Sequence, residues 1–184
     1  MIAVRQAAIH GVLLLEPEVH ADERGFFVET YRRSDLAAAG LDVGFVQENH
    51  SRSSRGTVRG LHFSARPGQA KLVRAARGRI LDVAVDIRRG SPTFGRHETF
   101  ELDDVAHRQV FLPVGIAHGF CVLSEVADVC YRVDAYYDAG LEKGLAWDDP
   151  ALGIEWPVDE PILSARDRAN PTLADLPREL TDWG

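Results

Sequence analysis

The feature that most limits how this chain can fold is a rhythm of short apolar runs, broken by turn signals, from about Phe45 to Val133. The breaks hold Gly, Pro, Asp or Ser, and no helical period lies between the runs. Strands at this spacing are typical of antiparallel sandwiches, barrels and jelly rolls. We therefore predict an all-β fold whose strands include FVQEN, TVRGLHF, KLVRAA, RILDVAVDI, HETFEL, RQVFLP, GFCVLS and VADVCYRV.

One of these runs shows a strict two-residue alternation, which predicts one packed and one polar face. The packed face holds Leu81, Val83, Val85 and Ile87, and the polar face holds Asp82, Ala84 and Asp86. Helix is scarce. Short helical turns are predicted only at 34–40, where Ser34 provides a cap and Gly40 a stop, and at 164–169, before Pro171.

Composition excludes several classes of protein. A net charge of -7 argues against a general nucleic-acid binder, and no run approaches the roughly 20 apolar residues of a membrane helix. The apolar run that ends at Leu15 is too short for a signal-peptide core, so we expect a cytoplasmic protein. Cys121 and Cys130 lie in apolar surroundings, and we expect two reduced core thiols.

Three residues in the strand region carry groups that could move a proton beside a carbonyl. His62 is flanked by apolar residues, Lys71 begins the next run, and Tyr131 lies between Val129 and Val133 on an inward face. An imidazole can take a proton near neutral pH, an ammonium can stabilise the resulting oxyanion, and a phenol can return a proton to the opposite face. Each residue also has a purely structural interpretation, as core or exposed strand end.

A histidine base works better when a carboxylate accepts a hydrogen bond from its second nitrogen. The residue pattern leaves three candidates for this carboxylate, Asp82, Asp86 and Asp167. Asp167 also fits a capping box with Ser164, in which the acid only satisfies backbone donors.

A second motif runs from Pro113 through Gly115 and His118 to Phe120. Its spacing resembles the second motif of cupin jelly rolls, in which the histidine completes a metal site. The segment around His62 supplies one histidine rather than a His-x-His pair, so fewer than three ligands are available. We therefore predict a cavity without metal.

Many separate blocks in the same order resemble one family, the dTDP-4-dehydrorhamnose 3,5-epimerases of deoxysugar biosynthesis. The resemblance covers about 22–171, most of the chain. Its blocks are DERGFFVE, FVQENHS, VRGLHF, QAKLVR, DVAVDIRRGSPTFG, LPVGIAHGF, CYRVDAYYD, WDDPALGIEWP and PILSARDRANP.

The resemblance implies a single cupin-type jelly-roll domain over 1–184, with short peripheral helices. It implies a homodimer that exchanges N-terminal strands and works without a cofactor. The substrate would be a 4-keto-6-deoxy sugar on thymidine diphosphate, and the reaction an inversion at C3 and C5, both next to the C4 ketone.

By motif, His62 corresponds to the base of the family, Tyr131 to its acid, Lys71 to the cation that stabilises the enolate, and Asp167 to the carboxylate that orients the histidine. The positions that correspond to substrate contacts are Arg24, Glu29, Gln47, Asn49, Arg59, His118, Tyr137, Glu142 and Arg166. Strict alternation would place Arg59 and His62 on opposite faces, and a bulge at Gly60 would bring them together.

The chain departs from the pattern of the family close to the sugar. Ser64 stands where Gln is common, Arg166 stands where Lys is usual, and Tyr131 is followed by Arg132-Val133-Asp134. Relatives in antibiotic-sugar pathways invert one carbon, so a 3-only or 5-only epimerase is one alternative. The others are a metal-dependent cupin enzyme and a sugar-nucleotide binding module without catalysis.

Overall fold

Antiparallel strands are the main secondary structure of the computed structural model, which describes residues 2–183. The strands are β1 (Ala3–Gln6), β2 (Leu13–Glu16), β3 (Val19–Asp22), β4 (Gly25–Val28), β5 (Gln47–Ser54), β6 (Val58–Ser64), β7 (Lys71–Arg77), β8 (Arg79–Asp86), β9 (His97–Asp103), β10 (Gln109–Leu112), β11 (Ile116–Val122), β12 (Val126–Val133) and β13 (Glu142–Gly144). The helices are α1 (Arg33–Ala38), α2 (Ala165–Arg168) and α3 (Arg178–Thr181).

Two sheets face each other as a jelly roll. The six-stranded sheet has the order β1-β2-β10-β7-β12-β5, and the five-stranded sheet has the order β13-β6-β11-β8-β9. From β5 to β13 the chain passes from one sheet to the other at almost every connection, and only the β8–β9 hairpin stays within one sheet. The predicted all-β jelly roll with short helices is confirmed.

The core between the sheets draws residues from both of them. Val73 and Val129 of the six-stranded sheet pack with Ile80 and Phe120 of the five-stranded sheet. The outer faces are covered as well. The C-terminal segment packs on one of them through Leu173, and α1 packs on the other through Leu36.

The prediction of a polar face on β8 was wrong. Asp82 and Asp86 are both fully buried, like Val83 and Val85 on the other face. The reason is that β8 lies inside its sheet, between β11 and β9, with the C-terminal segment on one side and the sandwich interior on the other. The alternation correctly predicts an apolar and a polar face on β8, but both faces are buried inside the protein.

The helices α1 and α2 lie where the sequence predicts them, but the predicted caps are only partly present. α1 follows an extended Arg32 and has no side-chain cap, so the predicted cap at Ser34 was wrong. The Ser164 hydroxyl does cap α2, because it accepts a hydrogen bond from the Asp167 backbone N–H at 3.0 Å. α3 was not predicted, and with four residues it is too short to show a period.

The N-terminal strands pair within the chain in residues 2–183, since β1 pairs with β2 and β2 pairs with β10. The next two strands, β3 and β4, form a separate hairpin. The hairpin exposes Phe26 and Phe27, which are 58% and 69% accessible. No helix within residues 2–183 is both long and apolar enough to cross a membrane.

Candidate active site

A bulge in β6 brings Arg59 and His62 to the same face of the five-stranded sheet. His62 lies opposite His118 of β11, but Arg59 lies opposite Phe120, so β6 has one residue more than β11 in this interval. Gly60 makes the bulge possible because it has a φ of +122°, and a Cβ there would lie 2.6 Å from the Cα of Gly119. Arg59 and His62 therefore lie on the same face, although strict alternation would place them on opposite faces.

His62 forms a short hydrogen bond to a carboxylate. Its Nε2 lies 2.6 Å from Oδ1 of Asp167. A carboxylate accepts, so Nε2 carries the hydrogen and Nδ1 is the nitrogen that can take a proton. Burial alone would raise the pKa of Asp167, but the hydrogen bond and charge of His62, with the Gly60 N–H and Ser164, hold it below its ordinary value.

Among the three carboxylates that the sequence left open, the structure therefore joins His62 to Asp167. Asp82, one of the other two candidates, is bound elsewhere, since its Oδ2 accepts from Nε2 of His118 at 2.7 Å. Asp86 holds the loop after β8 through Arg88, Ser91 and Thr93.

Lys71 projects from β7 of the opposite sheet into the sandwich and is only 6% exposed. Within residues 2–183 it forms no ion pair at hydrogen-bonding distance. Burial lowers the pKa of Lys71, and the charges of Glu142 and Asp82 oppose this effect. The Lys71 ammonium can therefore stabilise a negative charge that develops between the two sheets.

Tyr131 lies on the inner face of β12, packed against the core between the sheets. Burial raises the pKa of its hydroxyl, and the charge of Glu142 adds to the increase, while Arg59 and a hydrogen bond with the Asn49 side chain lower it. Arg59 and Glu142 belong to β6 and β13 of the other sheet. The phenol of one sheet is therefore within electrostatic range of groups that flank His62 on the other.

The inner face of β5 extends the site along the sheet edge. Nε2 of Gln47 donates to Oδ1 of Asn49 at 2.9 Å, and Oε1 of Gln47 accepts from the backbone N–H of Tyr137 at 3.0 Å. Nε of Arg59 donates to the Ser53 hydroxyl at 2.9 Å. Beside Arg59 and Asp167, an open recess of about 370 Å³ adjoins the His62 pair.

Ser53 was missed by the sequence analysis, which ended this strand at Asn49. The signal was present in the alternation of Gln47, Asn49, Ser51 and Ser53, but polar residues on a strand give no hydrophobic period.

The comparison with known families agrees with this architecture. The family model for dTDP-4-dehydrorhamnose 3,5-epimerase matches residues 6–175. A dTDP-4-dehydrorhamnose 3,5-epimerase of Pseudomonas aeruginosa is 49% identical over 170 residues, which cover 91% of this chain and 94% of that protein. The chain belongs to the dTDP-4-dehydrorhamnose 3,5-epimerase family.

Two further relatives show the breadth of this epimerase family. A crystal structure of dTDP-6-deoxy-D-glucose-3,5-epimerase from Legionella pneumophila, in complex with dTDP-4-keto-L-rhamnose, superposes with a TM-score of 0.95. It is 39% identical and covers 99% of this chain and 98% of its own. A dTDP-4-dehydrorhamnose 3-epimerase of Streptomyces niveus is 45% identical over 174 residues, covering 94% of this chain and 84% of that protein.

Other positions that the sequence analysis predicts as substrate contacts are more widely spread in this chain. Glu142 lies opposite Ser64 at the sheet edge, and Arg166 is exposed on α2 next to Asp167. Within residues 2–183, no hydrogen bond joins Arg24 or Glu29 to the group formed by His62, Asp167, Lys71 and Tyr131. Instead, Arg24 pairs with Asp22 and Glu29 pairs with Arg32.

Some cupins hold a metal ion between their side chains. In the part of the chain that the structure describes, no three His, Cys, Asp or Glu side chains are placed to hold one ion. His62 and His118 each already bind their own carboxylate.

Proposed function

We propose that this member of the epimerase family inverts dTDP-4-keto-6-deoxyglucose at C3, at C5 or at both, without a cofactor. The single observation that carries the proposal is the short His62–Asp167 hydrogen bond on one sheet, which faces an opposite sheet whose inner surface holds the buried Lys71 and Tyr131. These are a base, a cation and an acid, which are the three groups that the reaction requires.

The proposed chemistry moves protons and no electrons to or from an acceptor. Nδ1 of His62 takes the proton from the carbon next to the ketone, and the electron pair of that C–H bond forms a C=C bond while the C4 oxygen becomes negative. The ammonium of Lys71 stabilises this enolate. The Tyr131 hydroxyl then protonates the carbon from the other face, so that the ketone re-forms with the opposite configuration.

The nucleotide would bind along the sheet edge beside this centre. The guanidinium of Arg59 suits a diphosphate because it donates in a planar fork, and the recess beside it leaves room for the group. Gln47, Asn49 and the segment at Tyr137 would contact the nucleoside, since they already form one hydrogen-bonded group there.

The test is incubation with dTDP-4-keto-6-deoxyglucose in heavy water, followed by NMR of the recovered sugar. We expect deuterium at the inverted carbon and no loss of exchange when EDTA is present. Binding of the nucleotide sugar without any exchange would support a binding module instead. Exchange that disappears with EDTA and returns with iron, manganese or zinc would support a metal-dependent cupin enzyme.

A mono-epimerase is the second candidate, because the chain is 45% identical to the Streptomyces niveus 3-epimerase and has Ser64 beside the site. The same experiment separates the two. Deuterium at both C3 and C5 supports a 3,5-epimerase, whereas deuterium at one carbon alone supports a mono-epimerase.

We also propose that the working form is a homodimer in which the β3–β4 hairpin brings Arg24 and Glu29 to the cavity of its partner. The proposal is supported by the exposed Phe26 and Phe27 of this hairpin and by the separation of β3 and β4 from the two large sheets, since they form a two-stranded sheet of their own. Two buried free thiols, Cys121 and Cys130, support work in the reducing cytoplasm.

Co-expression of Arg24→Ala with His62→Ala tests this arrangement. If the partner supplies Arg24, each mixed dimer contains one intact site, and the mixture should recover roughly a quarter of the wild-type rate because half of the dimers are mixed. If each subunit uses its own Arg24, the mixture stays as inactive as the separate variants. Sedimentation must show a dimer in the same buffer, and a monomer with full activity would contradict the proposal.

A further inference from the structure

The sandwich interior holds a carboxylate to which no role has yet been given. Asp82 is fully buried on β8, and its Oδ2 accepts from Nε2 of His118 at 2.7 Å. Its other oxygen, Oδ1, is also buried and has no hydrogen-bond partner within residues 2–183. A buried carboxylate oxygen without a partner is destabilising, so its retention calls for a reason.

The nearest explanation comes from the opposite sheet. Among the residues described, Lys71 is buried without an ion pair on the inner face of β7, and Asp82 faces the same interior from β8, since Val73 and Ala84 on these two faces belong to one core cluster. The charges of Asp82 and Glu142 both oppose the effect of burial on the pKa of Lys71. Glu142 lies at the sheet edge and is partly exposed, and its charge also acts on Tyr131. Asp82 is therefore the counter-charge of Lys71 that is fully removed from solvent.

His118 fixes this carboxylate in one orientation. The ring is itself only 7% exposed, and it lies directly opposite His62 on the neighbouring strand. The two histidines thus belong to two separate His–Asp pairs, one completed by α2 through Asp167 and the other completed by β8 through Asp82. Only the first pair is used in the proton abstraction proposed above.

We propose that Asp82 is a positioning residue: His118 holds it by one carboxylate oxygen, and its charge keeps the Lys71 ammonium protonated and in place for the oxygen that becomes negative. This inference rests on the proposed function, because it gives the second His–Asp pair a task in the same reaction. A neutral amine at Lys71 would stabilise the enolate much less than an ammonium.

The charged and titratable groups around Lys71 define what a titration would report. Its neighbours on the adjacent strands, Leu112 and Val133, are apolar. The charged and titratable side chains on the inner faces of the other strands are those of β6, β8, β9, β11, β12 and β13, namely Arg59, His62, Asp82, Asp86, Glu98, His118, Tyr131 and Glu142.

The chain offers a direct measurement because it contains only two lysines, Lys71 and Lys143. In protein labelled with ¹³C at lysine Cε, NMR should show two signals, which Lys143→Arg assigns. We expect Lys71 of the wild-type chain to be protonated at pH 7 and Asp82→Asn to move its titration to lower pH. The alkaline limb of kcat should move in the same direction, with a loss of about tenfold at pH 8 and a smaller loss at pH 6.

Asp128→Asn is the matched control, because Asp128, like Asp82, lies beside a histidine. Asp128 differs in pairing with Arg52 on the outer face of the six-stranded sheet. The Asp128→Asn variant should leave both the Lys71 titration and the pH profile unchanged. An unchanged Lys71 titration in a folded Asp82→Asn variant overturns the inference. A wild-type Lys71 that is already neutral at pH 7 overturns it too, and this measurement needs no variant.

The NMR titration of Lys71 can be interpreted whether or not the proposed function is correct. A wild-type chain without solvent exchange would end the epimerase proposal, while the NMR titration would still decide whether Asp82 controls the charge of Lys71. Exchange in the wild type together with an unchanged titration in Asp82→Asn would retain the function and reject the role of Asp82.

Discussion

His62→Ala should reduce kcat about 100- to 10,000-fold, which is the usual contribution of a positioned acid or base. The reason is that the imidazole is the group held by Asp167 with its second nitrogen available for the substrate. The variant should still bind dTDP as the wild type does, because the contacts that we propose for the nucleotide lie on β5 and at Arg59. The measurements are the exchange rate in heavy water and calorimetric binding of dTDP.

His50→Ala is the control for this prediction. His50 also lies near an aspartate, with Nε2 at 3.7 Å from Asp128, but it is exposed on the edge strand β5 and away from the cavity. It should retain the wild-type rate. A His62→Ala variant that folds, binds dTDP and exchanges deuterium at the wild-type rate would show that His62 is not the base.

The strands β5 to β12 could be predicted from the sequence because apolar runs and turn residues report local structure. What the sequence could not provide was the environment of each face. Asp82 and Asp86 form a polar row on β8, yet both are buried, because this face lies against the opposite sheet while the C-terminal segment covers the apolar face of Val83 and Val85. Burial of this kind depends on tertiary contacts and not on local alternation.

The choice of partner for His62 shows the same limit. Asp167 is 105 residues away from His62, and its local pattern with Ser164 is that of a helix cap. The structure shows that the segment does both, since the Ser164 hydroxyl caps α2 while the Asp167 carboxylate accepts from His62. Residue spacing left three carboxylates open, and the resemblance to the family selected one of them.

Tyr131→Phe should separate proton exchange from inversion. Burial keeps the pKa of the Tyr131 hydroxyl above its ordinary value, so the phenol remains a proton donor across the neutral range. Phe keeps the ring in the core but has no proton to donate to the second face of the sugar. We expect His62 to continue removing the proton and returning one from solvent to the same face. Deuterium should then enter the substrate, while the inverted product falls about 100-fold or more.

Tyr31→Phe is the matched control, because that phenol lies on the outer face of the six-stranded sheet, where the Arg132 guanidinium is 4.2 Å from its ring centre. It should leave both exchange and inversion unchanged. The ratio of deuterated substrate to inverted product is the decisive quantity, since a merely destabilised protein would lose both signals together. Inversion at the wild-type rate in Tyr131→Phe would require another donor on that face and would remove Tyr131 from the mechanism. If exchange also ended in a variant that still folds and binds dTDP, delivery of the second proton would be coupled to removal of the first.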